Sequence, residues 1–271
     1  LGKSIMATVI VEAIKKQYKK SNLIVVTGYP DVFLHNPYVN RCLKGDNGNR
    51  LYKEYIKDQK CNIFVANPYH TDEFLQNKKH LFFDLDDTLW DFEKNSALAI
   101  ETIFKKHAID VDLQLFLTHY VPINIKYWEL YRVDEITQYE LRLGRLKDTF
   151  VLLNYEIDDE KIIFLSEEYI EYLPKFNHLF DGAIAILDYL KPKYNLHIIT
   201  NGFQEIQGNK LRNSNIGHYF KTITNSEMAG VKKPNPKIFE YAVTVANAQK
   251  QSSIMIGDCI EADVNGALNF G

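Results

Sequence analysis

The sequence predicts an α/β protein: a doubly wound, Rossmann-like parallel sheet with an inserted α-helical segment, preceded by a partial α/β unit. Three observations predict it. Short apolar runs recur along the chain, as expected of strands buried on both faces. Helical patterns separate them. One stretch, residues 97–178, is almost wholly helical in pattern and interrupts the alternation.

The partial unit occupies residues 1–79. Residues 4–18 place apolar side chains at helical spacing and end in lysines, which suit a helix C-terminus. Leu23–Thr27 and Asn62–Ala66 read as short buried strands, with the turn-rich stretch Gly45–Asn49 between them. One helix and two strands are too little to own a good core.

The second unit starts at residue 80. Leu81–Phe83 is an apolar strand followed directly by Asp84. Within the helical segment, Thr137 and Glu140 have the spacing of a capping box, which starts a helix there. Asp158–Leu173 is a further helix, stopped by Pro174. The alternation then resumes with a helix at Ala183–Leu190, a strand at Leu196–Ile199 and a short strand at Thr222–Thr224. Pro236, at a first-turn position, opens a helix that runs to Val245. Ser253–Ile256 is a strand, and Ala262–Phe270 begins a last helix.

Composition excludes several classes. Hydrophobic residues make up 46% and charged residues 25%, which is unlike a disordered chain, a collagen or a disulfide mini-protein. Cys42, Cys61 and Cys259 lack metal-ligand spacing and read as reduced thiols of a cytoplasmic protein. No apolar run approaches the roughly 20 residues that span a bilayer, and no signal-peptide pattern opens the chain, so no membrane association is expected. The net charge of −3 hides an asymmetry: residues 1–79 carry 13 Lys/Arg against 7 Asp/Glu, and residues 80–271 carry 19 against 28. That contrast points to two unrelated pieces in one chain. The basic residues of the first piece are scattered and form no stripe for a nucleic-acid polymer.

The chemistry lies just beyond the apolar strands, where an open α/β sheet binds its ligands. Asp84-Leu85-Asp86-Asp87-Thr88 follows the first strand of the second unit, and Thr200-Asn201-Gly202 follows Leu196–Ile199. Lys233-Pro234 precedes the Pro236 helix, and Gly257-Asp258 follows Ser253–Ile256, with Asp263 five residues later. Asp84 and Asp86 lean to the same side of an extended chain. Carboxylates that close repel unless a cation sits between them or one is protonated. Several carboxylates, a hydroxyl, an ammonium and backbone N–H groups together suit a divalent cation plus a phosphate.

These four segments (DLDDT, the strand ending in TNG, KKP and GDCIEAD) resemble, in order, motifs I to IV of the haloacid dehalogenase (HAD) superfamily, and the resemblance covers residues 80–271. It implies that Asp84 is the nucleophile and Asp86 the acid/base, whose backbone carbonyl also meets Mg²⁺. Thr200, Asn201 and Lys233 would bind phosphate, Asp258 would be the acidic metal ligand, and Asp263 would support the metal site or Lys233. The second aspartate favours phosphoryl transfer, because dehalogenases need no leaving-group acid. Residues 97–178 resemble the helical cap of subclass I members, with 80–96 and 179–271 as the catalytic core. DLDDTLWDFEKNS, TNGFQEIQ and SEMAGVKKPNPKIF look most like the pyrimidine 5′-nucleotidase branch, which implies small phosphomonoester substrates, nucleoside 5′-monophosphates foremost. The alternatives within the fold are a sugar-phosphate or phosphoglycolate phosphatase or a phosphoglucomutase relative. Outside catalysis, the alternative is an inactive truncated fusion.

Asp87 braces the loop, and Trp90 packs beneath the cap. Arg142 and Arg145, three apart on one helix, suit a solvated face, although they also stand where a cap could reach substrate. In residues 1–79, the helix 4–18, LIVVT and YPDVFLHNPYVNRCL resemble part of the N-terminal domain of heptosyltransferase-type glycosyltransferases. A nucleotide-sugar-binding partner domain is missing from the chain, so no glycosyltransferase activity is expected. Both ends look cut, and the two resemblances meet near Gln76–His80, the expectation being a partial or chimeric reading frame.

Overall fold

The computed structural model describes residues 24–27, 41–44 and 78–271. Strand β1 (Ile24–Thr27) pairs in parallel with β2 (Arg41–Lys44). The first matches the expected LIVVT strand. The second was not expected, since Arg41 and Lys44 break any apolar run. The helix expected at 4–18 and the strand expected at Asn62–Ala66 lie outside the described residues.

The main sheet has four parallel strands in the order β5-β4-β3-β6. They are β3 (His80–Phe83), β4 (Asn195–Thr200), β5 (Phe220–Asn225) and β6 (Ser253–Ile256). The strand first in sequence therefore lies inside, with β4 on one side and β6 on the other. The chain winds outward to β5 and then crosses back to β6, so the direction of winding reverses beside β3. That reversal opens a crevice at the carboxyl ends. Phe83 stands level with Ile198 and Ile256, which brings the residues after β3, β4 and β6 to one rim.

Alternation along β3 divides the core. Leu81 and Phe83 pack into the larger apolar cluster, which includes Leu196, Ile198 and Ile256. Phe82 faces the other way, onto Ile199, Ile238, Phe239 and Ala242. The helices are α1 (Phe92–Lys106), α2 (Leu113–Arg132), α3 (Gln138–Leu152) and α4 (Asp159–Tyr172), all between β3 and β4, then α5 (Ala183–Leu190). After β4 come α6 (Gln204–Asn213), the single turn α7 (Ser226–Ala229), α8 (Pro236–Val245) and α9 (Gly266–Phe270). Among the described residues, no helix is long and apolar enough to cross a membrane.

Local chemistry starts these helices. Asp91, Asp112 and Asp158 each accept a backbone N–H three residues on, at 3.0, 2.7 and 2.6 Å. Thr137 and Glu140 form the expected capping box. Asp91 sets the start of α1 at Phe92, so this helix crosses the 96/97 position where the cap was expected to begin. Pro174 falls in a 3₁₀ turn, Leu173–Lys175, that ends α4. The last helix is split: a π-helical stretch, Ile260–Asn265, precedes α9 where one helix was expected.

Helix α6 carries no apolar period in the sequence, for a physical reason. Its inward face is Ile206, Gln207, Lys210 and Leu211, so half of what it buries is polar and the apolar period is lost. Trp90 is fully buried, as expected of a packing residue, and its Nε1 donates to Ser214 Oγ at 3.1 Å.

A histidine relay crosses the sheet. His197, 1% exposed, lies 3.1 Å from His80 Nδ1 through its Nε2 and 2.8 Å from Thr222 Oγ1 through its Nδ1. Burial, His80 and Lys221 push the His197 pKa down to about 4 from an ordinary 6.5. The unfolded chain then binds more protons than the folded one, so stability is full above about pH 6.5 and falls as the pH drops toward 4. Melting temperatures measured across that window should fall, and His197→Gln should flatten the slope.

Candidate active site

Asp84 sits at the carboxyl end of β3, with its N–H donating to Ile256 O at 2.8 Å to extend the ladder by one residue. Its carboxylate is buried and meets the Lys233 ammonium, Nζ to Oδ1 2.6 Å. Lys233 Nζ also reaches Asp263 Oδ1 at 2.5 Å and Ile199 O at 2.8 Å. All three donors of the ammonium are thus used, and Lys233 itself is 2% exposed. Its backbone is fixed by Asn201, which accepts Lys233 N–H at 2.7 Å and donates to Lys233 O at 3.0 Å. Asn201 is thereby tied to Lys233 through the main chain.

Asp263 spends both carboxylate oxygens locally, the second accepting Cys259 N–H at 3.1 Å. Gly257 makes room for it: a Cβ there would stand 2.1 Å from Asp263 Oδ2. Asp258 lies at the rim and is exposed, with Thr88 Oγ1 at 3.4 Å. Thr200 Oγ1 accepts from Gly202 N–H at 3.0 Å and Gln207 Nε2 at 3.1 Å, which leaves its own O–H to donate. Asp86 is turned toward α6, where Lys210 Nζ contacts Oδ1 at 2.5 Å and Gln207 Nε2 contacts Oδ2 at 2.8 Å. Neither α6 residue was singled out in the sequence. The signal available was a lysine and a glutamine three apart after the TNG turn.

Electrostatics ask for a cation. Carboxylate oxygens of Asp84, Asp258 and Asp263 lie within 4.8 Å of one another. Burial pushes the Asp84 carboxyl well above the usual range; Lys233 opposes this, and Asp263, Asp258 and Asp86 add to it. Asp258, although it reaches the surface, is pushed up to about 6 by the protein atoms packed around its carboxyl group and by Asp263. Asp87 rises to about 7 through burial, then Asp258 and Asp86. One lysine against these acids leaves an excess of negative charge, which a divalent cation offsets. The donor set fits such an ion: all oxygen, with unspent oxygens on Asp84 and Asp258 and none on Asp263.

Other sequence assignments fall into place around this cluster. Asp87 has a left-handed backbone, φ 56°, and donates its N–H to Trp90 O at 2.9 Å, as a loop brace would. Lys232 points away, to Asp134 and onto the Tyr131 ring at 4.2 Å. The solvated-face expectation for the two cap arginines is corrected. Arg145 is 2% exposed, donates to Asn124 Oδ1 at 2.8 Å and lies 4.8 Å over the Tyr169 ring. Arg142 is half-buried, 4.8 Å over the Phe203 ring. Helix α3 packs inward on both α2 and α4, so this face is lined with neighbours and not water.

The fold and site define an α/β protein with a lysine-bridged acidic cluster at the carboxyl rim of its parallel sheet. Residues 78–271 match the sequence model of the haloacid dehalogenase-like hydrolases, and the chain belongs to that family. The pyrimidine 5′-nucleotidase PynA of Streptococcus pneumoniae is 32% identical over 195 residues, covering 71% of this chain and 81% of that protein. The pyrimidine 5′-nucleotidase YjjG of Escherichia coli is 31% identical over 192 residues, 70% and 82% of the two chains. Among solved structures, the HAD-hydrolase YfnB of Bacillus subtilis, bound to magnesium, has a TM-score of 0.66 at 29% identity and covers 72% of this chain and 86% of its own.

Lys233→Met should remove the shared partner of two buried carboxylates and cost about 3–5 kcal/mol. Urea unfolding would read the loss. Asp263→Asn, which leaves Lys233 paired with Asp84, should cost less.

Proposed function

We propose that the protein is a Mg²⁺-dependent phosphatase of small phosphomonoesters, nucleoside 5′-monophosphates foremost, working through an aspartyl-phosphate on Asp84. The observation that carries this reading is the state of the Asp84 carboxylate. One oxygen is held by Lys233 and the other is unspent, at the rim of the crevice and beside the acids that would hold a cation. The named relatives support the substrate class, two of them being pyrimidine 5′-nucleotidases.

In this reading one oxygen of the Asp84 carboxylate attacks phosphorus, and the bond from phosphorus to the ester oxygen breaks. The leaving oxygen takes a proton from the Asp86 carboxyl group. Asp86, then ionised, takes a proton from water, whose oxygen attacks the aspartyl-phosphate, releasing phosphate and restoring Asp84. Thr200 donates its free O–H to a phosphoryl oxygen, and Lys233 offsets negative charge at Asp84 and at the phosphoryl group. Asn201 keeps Lys233 in place through its two main-chain bonds. Asp84, Asp258 and the Asp86 backbone carbonyl would hold Mg²⁺, supplying positive charge to the phosphoryl oxygens. Asp263 acts through Lys233. We assign residues 80–96 and 179–271 to the catalytic core and 97–178 to the cap that covers it.

Hydrolysis of p-nitrophenyl phosphate should require Mg²⁺ and be lost in Asp84→Asn; activity retained in that variant would overturn the mechanism. A panel of nucleoside monophosphates and sugar phosphates, compared by kcat/KM, should favour the nucleotides.

A further inference from the structure

Helix α6 buries two polar side chains that the mechanism above leaves unused. Gln207 is 1% exposed and Lys210 is 2% exposed. Their spacing of three places them on one helical face. Together they take both oxygens of Asp86: Lys210 Nζ at 2.5 Å on Oδ1, and Gln207 Nε2 at 2.8 Å on Oδ2. Gln207 Nε2 also reaches Thr200 Oγ1 at 3.1 Å, so one amide touches both residues. The Trp90 and Phe92 rings lie 4.1 and 5.3 Å from the ammonium and wall it in. Gly202 admits the amide, since a Cβ there would fall 1.6 Å from Nε2.

Stability alone does not account for this arrangement. An ammonium and an amide withdrawn from water are costly, and apolar side chains of similar size on that face would cost less. What the pair provides is direction. A carboxyl group has about four lone-pair sites, and donors on the α6 side leave only those on the crevice side for a proton to occupy. We propose that Gln207 and Lys210 are positioning residues: they hold the Asp86 carboxyl group so that its proton faces the ester oxygen, and Gln207 links that orientation to the phosphate-binding hydroxyl of Thr200. The proposal rests on the reading of Asp86 as acid/base.

Leaving-group dependence tests it with the full chain and Mg²⁺. p-Nitrophenolate departs without a proton, whereas the alkoxide of benzyl phosphate needs one. General acid catalysis is worth roughly 10²–10⁴-fold, so a misdirected acid should lose a large part of that on benzyl phosphate alone. Gln207→Leu and Lys210→Met should each lower kcat/KM for benzyl phosphate about tenfold or more beyond any loss on p-nitrophenyl phosphate. Equal losses on both substrates would overturn the positioning role, because a merely structural defect affects both alike. Asp86→Asn is the reference. If it too loses equally on both substrates, the acid/base reading itself fails. If it is selective while the α6 variants are not, only the positioning role fails. Melting curves check folding, and Gln207→Leu, which removes no charge, decides alone should Lys210→Met not fold.

Discussion

The Lys233 ammonium, enclosed between Asp84, Asp263 and the Ile199 carbonyl, is the interaction on which the rest of this site depends. A buried charge is tolerable only when its partners are well placed. Here those partners come from three different strand ends: β3 supplies Asp84, β4 supplies Ile199, and the segment after β6 supplies Asp263. Asn201 anchors the lysine backbone from a fourth direction. The parallel register sets all of this, since Phe83 lies level with both Ile198 and Ile256. A slip of one residue in either pairing would separate the ammonium from one of its acids.

The same cluster explains why the rim is electrostatically unsatisfied. One ammonium shared by Asp84 and Asp263 cannot also neutralise Asp258 and Asp87, and Asp87 is raised by burial and by the neighbouring Asp258 and Asp86. Carboxylates crowded in this way suit a divalent cation between them. The cap closes on this region through packing as well as charge. Trp128 stacks on Phe203 at 5.5 Å, next to the TNG turn, and Tyr131 meets the same ring edge-on. Arg132 reaches Cys259 Sγ at 3.2 Å, and Asp134 pairs with Lys232. The end of α2 is thus joined to the segments that carry Lys233 and Asp258.

Much of the fold was legible in the sequence because the signals were local. Ala183–Leu190, Pro236–Val245 and Ser253–Ile256 begin and end where their apolar pattern, proline or flanking polar residues place them. The capping box at Thr137 needs only four residues to be recognised. Where the sequence misled, the inward face was polar. Helix α6 buries Gln207 and Lys210, and Arg145 is buried with an amide and an aromatic ring for company. A pattern that equates buried with apolar is blind to such elements.

By itself the sequence determined the class of the main sheet and the four segments at its carboxyl ends, because strand-ending carboxylates, a hydroxyl and a lysine are written in the chain and their order is informative. Only the tertiary structure decided which atoms meet. That Lys233 and not Lys232 bridges the acids, that Asp263 is spent on that lysine while Asp84 and Asp258 keep free oxygens, and that Asp86 is gripped from α6 are facts about contacts between residues as far apart as 149 and 124 positions in the chain. Pairings at such separations are set by register and by the packing of helices on the sheet, which no local window of sequence contains.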